Sequence, residues 1–305
     1  MKNHGPRIDT IVLIVLIASV ILSCDKETGF NLFTVQEDIE IGESMDSAIR
    51  ANPVEFPILD PNNYSNAYQY MNSMMQRIVQ SDDFVHKNDF VYEITIINKD
   101  IMNAFAVPGG KLYFYTGLMK YLDNSANLAG VLAHEMAHID RRHSSAQLSK
   151  YYGVELILNA ILGNDQSQLE EVAVDLATGL AALKFSREDE YEADKYSILF
   201  VDDTDYYHPR GISGFFEKLR LDGHTAETFE FLSTHPSDDN RITNINTIWV
   251  ELGSPGGEYS RRNTTNSLPC CRKKPGTIMN SGSGFEITSK VILPFPGLRP
   301  TPWLF

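Results

Sequence analysis

The sequence predicts an α+β fold that is mainly helical, with a small β-sheet or hairpin beside one central helix. Several segments carry apolar residues at the three- and four-residue spacing of helices, whereas only the stretches near residues 90–97 and 103–117 alternate in the way that strands do. The central helix is expected over residues 126–142, where small residues such as Gly130 and Ala133 allow a neighbouring backbone to approach closely.

The other elements follow in chain order. Residues 66–79 have helical spacing, and the hairpin turns at Pro108-Gly109-Gly110, because proline and glycine favour turns. Asp123-Asn124-Ser125 precede the central helix and provide its cap. Further helices are expected over residues 147–162, 167–184, from 186 onwards, 211–221 and 236–252.

Length and charge exclude one class of function. A chain of 305 residues with a hydrophobic fraction of 43% is long enough to bury one substantial core. The formal net charge of -14 argues against binding to nucleic acid, which requires a basic surface.

The N-terminus has the pattern of an export signal. Lys2 and Arg7 precede an apolar run that ends at Ser23 and is too short for a comfortable membrane span of roughly 20 apolar residues. The following Cys24 completes the sequence Ile21-Leu22-Ser23-Cys24, which resembles a bacterial lipoprotein box in which the cysteine is lipidated. An uncleaved signal anchor is the alternative, and both tether the protein to a membrane outside the cytoplasm.

These patterns divide the chain into four regions. Residues 1–23 are expected to be a lipoprotein-type signal peptide, and residues 24–60 a tether followed by one or two weakly predicted helices. Residues 61–253 are expected to form the main domain. Residues 254–305 are rich in proline, glycine and basic residues and are predicted to be a disordered tail.

Any metal site in this chain must use histidines and carboxylates. If Cys24 carries lipid, only the adjacent Cys270 and Cys271 remain. Neither a disulfide framework nor a CxxC metal motif is present in the sequence.

The central helix carries the strongest motif, since residues 131–140 read VLAHEMAHID. Positions i and i+4 share one face of a helix, so His134 and His138 can bind one zinc ion together. Glu135 would lie beside that ion, where a general base can take a proton from the attacking water. The alternative is that HExxH occurs here by chance. Catalytic zinc requires a third protein ligand, so the presence of such a ligand elsewhere in the chain distinguishes the two.

The third ligand is expected in the acidic segment SREDEYEAD. Glu190 and Asp194 are four positions apart there and share one helix face, so Glu190 could bind zinc while Asp194 accepts a hydrogen bond from a ligand histidine. Spacing alone does not select Glu190 over its acidic neighbours. A solvated acidic face is the expectation for Glu188, Asp189 and Glu192.

A further histidine follows the motif directly. His143 is five positions after His138, which is the wrong helical angle for a shared ligand site. It is therefore predicted to be a surface residue at a helix end.

Three ordered motifs resemble one family. This family is the CAAX-prenyl-protease/HtpX-like zinc endopeptidases. Its HExxH element resembles HEMAH, its ExxxAD element resembles the later SREDEYEAD, and its THPxxxxR element resembles Ser233-Thr234-His235-Pro236 followed by Arg241. The resemblance spans residues 65–252, and NAFAVPGG is similar to the family's active-site edge strand. The chain most resembles the soluble periplasmic lipoprotein and chaperone-protease members, without the helical-repeat domain that some of them carry.

The resemblance implies a gluzincin-type site with one Zn²⁺ per subunit. Its ligands would be His134, His138 and Glu190, with Glu135 as the catalytic base and Asp194 supporting a ligand histidine. The segment of Asn103, Ala104, Phe105 and Ala106 would bind an extended substrate through main-chain hydrogen bonds.

Two residues keep more than one role at this point. His235 would either occupy the open metal position in a resting state or stabilise the tetrahedral intermediate, and a plain loop-shaping role is the alternative. Arg241 would bind the developing oxyanion or a substrate carbonyl, or would hold nearby aspartates.

The predicted function is a zinc metalloendopeptidase that cleaves misfolded or unassembled envelope proteins. Its predicted location is the bacterial cell envelope, lipid-anchored to the outer membrane and facing the periplasm, with the envelope assembly machinery as a further partner. Two alternatives remain: an envelope chaperone or assembly factor whose zinc site is plugged by His235, and a tethered binding module in which the motif is structural.

Overall fold

A computed structural model of the chain describes residues 31, 33–153, 175, 179, 184–225, 229–236 and 239–259. The predicted signal peptide with Cys24 lies outside the described residues. So do nearly all of the predicted tail, and most of the helices expected over residues 147–162 and 167–184.

The predicted class, mainly helical with a small sheet, is confirmed. In chain order, the described helices are α1 Val35–Ala51, α2 Ser65–Ile78, α3 Thr116–Tyr121, α4 Ser125–Asp140, α5 His143–Tyr152, α6 Arg187–Asp202, α7 Gly211–Leu221, α8 Glu230–Thr234 and α9 Asp239–Glu251. The strands are β1 Glu93–Ile97, β2 Ala104–Val107 and β3 Lys111–Tyr115. Among the described residues, no helix has both the length and the apolar character needed to cross a membrane.

The predicted hairpin is one part of a three-stranded sheet with the order β1-β3-β2. β2 and β3 pair antiparallel through the turn Pro108–Gly110, where Gly109 and Gly110 have φ values of 75° and 106° that favour glycine. β1 pairs with β3 in parallel. β2 therefore lies at the edge of this sheet, next to α4 and α5.

Helix α1 lies within the segment that the sequence assigned to a tether with weak helices. Thr34 and Glu37 form a reciprocal capping box at its start, which satisfies two backbone N–H groups. Its buried apolar residues, among them Ile41 and Met45, pack with Phe105 in a second core cluster on one face of the sheet. Residues before 61 thus contribute to the folded core.

Helix α4 is the centre of the fold. All of its residues are buried, and it packs against α6 and α7. Gly130 makes the α7 contact close, since a Cβ built there would lie 2.2 Å from the backbone nitrogen of Ile212. Asn124 caps the helix through a hydrogen bond from the backbone N–H of Asn127 to its Oδ1, at 2.7 Å. A helix surrounded by protein in this way holds its side chains in fixed positions.

One predicted helix start differs from the structure. Helix α5 begins at His143, four residues before the predicted position. Helix α9 is described from Asp239, and residues 237 and 238 of its predicted start lie outside the described residues. The chain breaks before α5 because Arg142 adopts a left-handed conformation with φ 60°. That break determines where His143 points, as described below.

Candidate metal centre

Four side chains from three parts of the fold meet in the core. His134 and His138 come from α4, Glu190 from the first turn of α6, and His235 from the residue after α8. Each offers one ligand atom, and these atoms all lie within 4.8 Å of one another. All four side chains are buried.

The distances from His134 to the other three ligand atoms are close to those around one tetrahedral ion, while the group as a whole lies within 4.8 Å. Nε2 of His134 lies 3.1 Å from Nε2 of His138, 3.4 Å from Nδ1 of His235 and 3.5 Å from Oε2 of Glu190. Atoms bound at about 2.0–2.1 Å to one tetrahedral zinc ion are about 3.3–3.4 Å apart. His134 is therefore spaced from His138, Glu190 and His235 as in a ligand set.

The excess of buried carboxylates in and around the cluster also favours binding of a cation. Glu135, Glu190 and Asp194 supply three buried carboxylates, while Arg241 contributes one guanidinium to them. If the carboxylates are ionised, two negative charges remain without a partner, which a divalent ion would balance. Without an ion the same charge attracts a proton. Burial disfavours the charged imidazole of His134, but hydrogen bonding to Asp194 and Glu190 outweighs it and raises the pKa to about 9.

Helix α6 starts with a capping box that fixes its first turn. The Ser186 side chain accepts from the backbone N–H of Asp189, and the Asp189 side chain accepts from the N–H of Ser186. This places Glu190 and Asp194 on the buried face towards α4. Oδ1 of Asp194 lies 3.1 Å from Nδ1 of His134, the ring nitrogen that faces away from the cluster.

Arg241 binds carboxylates. Its Nε and Nη2 donate to the two oxygens of Asp194 at 2.7 and 2.6 Å, and Nη1 lies 2.5 Å from Oε2 of Glu190. Of the roles that the sequence left open, this geometry matches holding the acidic residues. Although burial opposes the charged form of Glu190, Arg241 and then His235 keep its pKa well below the usual value.

Glu135 lies beside the cluster with unpaired oxygens. Its side chain is completely buried, and neither carboxylate oxygen has a hydrogen-bond partner among the described residues. Nε2 of His235 lies 3.5 Å from Oε1. Burial raises the pKa of Glu135. A buried carboxylate without a donor is costly, so it is suited to receive a proton or a hydrogen bond from a bound molecule.

His235 occupies the position next to the base. Its Nδ1 lies 2.9 Å from Oε1 of Glu190, and its ring stacks on Phe231 with centroids 4.4 Å apart. Phe185 stacks on the same ring from 5.2 Å. The segment that carries His235 is bonded to the chain just before β2, because Phe231 donates its backbone N–H to the carbonyl of Met102 at 3.0 Å.

The prediction for His143 was wrong. Its side chain is only 3% exposed, and its Nδ1 lies 2.9 Å from Nδ1 of His138. The helical angle did not apply, because α4 ends at Asp140 and the left-handed Arg142 redirects the chain. Glu192, expected on a solvated face, contacts His143 with 3.1 Å between Oε2 and Nε2. The one feature of the sequence that could have predicted this contact is the presence of a histidine shortly after the HExxH motif.

The predicted substrate segment lies close to the site, with its side chains buried. Asn103, Ala104, Phe105 and Ala106 are each at most 4% exposed, and Phe105 stacks on Tyr113 at 4.7 Å. These exposures are for whole residues, so the backbone of this segment is buried together with its side chains. The carbonyl of Ala106 already accepts a hydrogen bond from Oγ of Ser144, at 2.9 Å.

A small pocket leads to Glu190 from another side. Its volume is about 120 Å³, and its lining includes Phe185, Tyr191 and Pro236 in addition to Glu190 and Arg241.

Comparison with known proteins agrees with this site. The sequence profile described as peptidase family M48 matches residues 65–248, which is more than half of the chain. The chain belongs to peptidase family M48. The profile covers every element that carries a residue of the cluster.

Several relatives are similar over the same region. The chain is 32% identical over 186 residues to the beta-barrel assembly-enhancing protease of Escherichia coli, covering 57% of this chain and 37% of that protein. It is 33% identical over 160 residues to the mitochondrial metalloendopeptidase OMA1 of Arabidopsis thaliana, covering 51% and 31%. It is 34% identical over 153 residues to the metalloprotease YcaL of Escherichia coli, covering 47% and 57%. The chain thus spans less than two thirds of the length of each.

Family membership confirms the resemblance drawn from the three motifs. It places the chain among the metallopeptidases, which are hydrolases that act on peptides or proteins. The buried cluster of His134, His138, Glu190 and His235 fits the metal site that this class requires.

Proposed function

We propose that this chain is a zinc-dependent endopeptidase in which Glu135 activates the attacking water. The observation that carries the proposal is a buried set of metal-ligand atoms with a carboxylate beside it whose oxygens have no partner among the described residues. An endopeptidase needs both a ligand set and an adjacent base, and HExxH supplies three of those groups from one helix.

His134, His138 and Glu190 would hold the ion. Zinc has no redox chemistry, accepts nitrogen and oxygen ligands, and when bound polarises a carbonyl and lowers the pKa of a water molecule. Asp194 and Arg241 would keep the ligands in position, because Asp194 contacts the outer nitrogen of His134 and Arg241 binds both Asp194 and Glu190.

Glu135 would move the proton during hydrolysis. Its carboxylate takes a proton from the attacking water and passes it to the nitrogen of the departing amine, so one group serves as base and then as acid. The complete burial of Glu135 supports this role, because it weakens the preference of the carboxyl for the charged form.

The test compares the wild type with Glu135→Gln on an unfolded protein such as reduced casein. We expect the variant to bind one zinc per chain, as measured by elemental analysis, and to lose cleavage by about 10²-fold or more, since the general base is removed. Equal cleavage by the two proteins would contradict the role of Glu135. A wild type that neither binds zinc nor cleaves would contradict the enzyme.

Substrate is proposed to lie along β2, pairing through the backbone near Asn103, Ala104, Phe105 and Ala106. The edge position of β2 beside α4 supports this, and main-chain pairing tolerates many sequences. The test uses a series of cleavable peptides, each with one N-methyl group at a different position near the scissile bond. Where the methylated N–H pairs with β2, the peptide loses one strand hydrogen bond. Slower cleavage is expected, while N-methylation far from that bond serves as the control. Equal rates would contradict strand pairing.

The physiological substrates are proposed to be misfolded or unassembled proteins of the bacterial envelope. The similarity to a protein named beta-barrel assembly-enhancing protease supports this, and also supports a link to envelope assembly machinery. The anchor is proposed to be a lipid on Cys24, facing the periplasm from the outer membrane. Labelling of wild type and Cys24→Ser with a fatty-acid analogue, followed by membrane fractionation, tests it. Label on both proteins would contradict lipidation at Cys24.

A second function is favoured by the contacts of His235. Because Nδ1 of His235 lies 3.4 Å from Nε2 of His134 and completes the ligand set, the site could be held latent in an envelope chaperone or assembly factor. His235→Ala separates the two. Faster cleavage would favour a plugged site, whereas slower cleavage would favour stabilisation of the transition state.

A further inference from the structure

His138 is bonded on its outer side to a residue that the motif does not include. Its Nε2 faces the cluster, 3.1 Å from Nε2 of His134, while its Nδ1 lies 2.9 Å from Nδ1 of His143. On the far side of His143, Nε2 lies 3.1 Å from Oε2 of Glu192. Three side chains from α4, α5 and α6 therefore form a continuous line from the cluster outwards.

The chemistry of a ligand histidine assigns every proton in this line. If Nε2 of His138 points its lone pair at an ion, the ring proton must be on Nδ1, so Nδ1 donates and Nδ1 of His143 accepts. The proton of neutral His143 is then on Nε2, from which it donates to the carboxylate of Glu192. One direction of hydrogen bonding satisfies both rings.

The two motif histidines thus have different supports. The outer nitrogen of His134 faces a carboxylate directly, with Asp194 at 3.1 Å. The outer nitrogen of His138 reaches a carboxylate only through His143. The face of the His138 ring is also covered, because Phe185 stacks on it with centroids 3.9 Å apart.

The backbone conformation at Arg142 positions His143 next to His138. Arg142 has φ 60°, and its guanidinium is fixed by Asp38, with 2.6 Å between Nε and Oδ2, and by the carbonyl of Phe33. This left-handed residue redirects the chain between α4 and α5, and the first residue of α5, His143, contacts His138 of the HExxH helix.

We propose that His143 and Glu192 are positioning residues that hold His138 in the tautomer and orientation needed to bind the metal. The inference rests on the proposed metal site and adds two residues to it. Glu192 retains 22% exposure, so the line ends at the protein surface. It fixes His138 through a neutral ring instead of a buried charge.

The test measures zinc affinity of the whole protein by competition with a chromophoric chelator. His143→Ala removes the acceptor, and we expect its zinc Kd to rise about 10–100-fold. His143→Asn restores an acceptor oxygen near the position of Nδ1, and its Kd is expected within about threefold of wild type. Glu192→Gln should cause a smaller loss, while Glu188→Gln, an exposed acid on the same helix, should cause none.

A second measurement separates positioning from packing. In the cobalt-substituted protein, the visible absorption of His143→Ala should shift in position and intensity, whereas His143→Asn should retain the wild-type spectrum, since this absorption reports the ligands and the geometry around the ion. If His143→Ala does not fold, the zinc affinities of His143→Asn and Glu192→Gln test the proposal. Wild-type affinity in His143→Ala, or an equal loss in His143→Ala and His143→Asn with no effect of Glu192→Gln, would overturn the proposal. A wild type without zinc affinity would instead contradict the proposed function.

Discussion

Arg241 and Asp194 are joined by two parallel hydrogen bonds of 2.7 and 2.6 Å inside the protein, where each side chain is at most 3% exposed. The pair joins α9 to α6. Asp194 in turn contacts His134, so one guanidinium supports both the packing of two helices and the orientation of a cluster histidine. A buried pair of this kind is costly to break because the remaining charge stays desolvated.

Replacement of Arg241 by alanine should therefore destabilise the fold strongly. We expect a loss of about 3–5 kcal/mol in the free energy of unfolding, since Asp194 and Glu190 would both lose their cationic partner. Urea denaturation in the presence of a chelator measures it. The matched control is Arg187→Ala, which removes an exposed arginine near the same pocket and should change stability by less than about 0.5 kcal/mol. Similar losses in the two variants would contradict a special role for the pair.

The contact between α4 and α7 gives a second prediction. A Cβ at Gly130 would lie 2.2 Å from the backbone nitrogen of Ile212, so Gly130→Ala must move one helix away from the other. We expect a net loss of about 1–3 kcal/mol, although alanine favours a helix interior by about 1 kcal/mol. Thermal and urea unfolding measure the change.

Gly214→Ala is the matched control for that variant. It is also a helical glycine, but the nearest atom to its added Cβ is Oδ1 of the Asn127 side chain at 2.7 Å, which can rotate away. Its loss should be clearly smaller than that of Gly130→Ala. If both variants are equally stable, backbone contact does not limit the distance between the helices.

Patterns that depend on nearby residues could be predicted from the sequence. The spacing of the HExxH helix, the Pro108-Gly109-Gly110 turn and the Ser186 cap are local, and the structure places the corresponding elements within about two residues of their expected bounds. Glu190 could not be selected by spacing alone, because its acidic neighbours have the same chemistry. Its choice came from the family resemblance, and the structure brings it to the two motif histidines.

Features that depend on distant contacts could not be predicted. The parallel pairing of β1 with β3 has no local signature, and the packing of α1 follows from partners far away in sequence. The error at His143 has one physical source. A helical angle was extended through Arg142, whose left-handed conformation is stabilised by Asp38, a residue 104 positions earlier. No pattern around Arg142 reveals that partner.

The same Arg142–Asp38 contact gives the last prediction, which depends on pH. Asp38 is 1% exposed, and burial raises its pKa above the ordinary value of 3.8, while the bond from Arg142 opposes that rise. Arg142→Ala should raise the pKa further. Because the folded state then binds the proton more tightly than the unfolded state, stability is retained below pH 3.8 and is lost as pH rises through the folded pKa. We expect a loss of about 1.5–3 kcal/mol at pH 7 and a much smaller one near pH 3.5.

Asp38→Asn in the Arg142→Ala background isolates this effect, because an amide does not titrate. The double variant should show no additional loss between pH 3.5 and 7 relative to Asp38→Asn alone, as measured by urea unfolding at each pH. If the loss caused by Arg142→Ala were the same at both pH values, it would arise from other lost contacts of the Arg142 side chain, such as the one to the carbonyl of Phe33, and not from the charge of Asp38. Replacement of Arg142 by glycine removes the same side chain but adopts φ 60° without strain, so it should lose less stability than Arg142→Ala by a similar amount at both pH values.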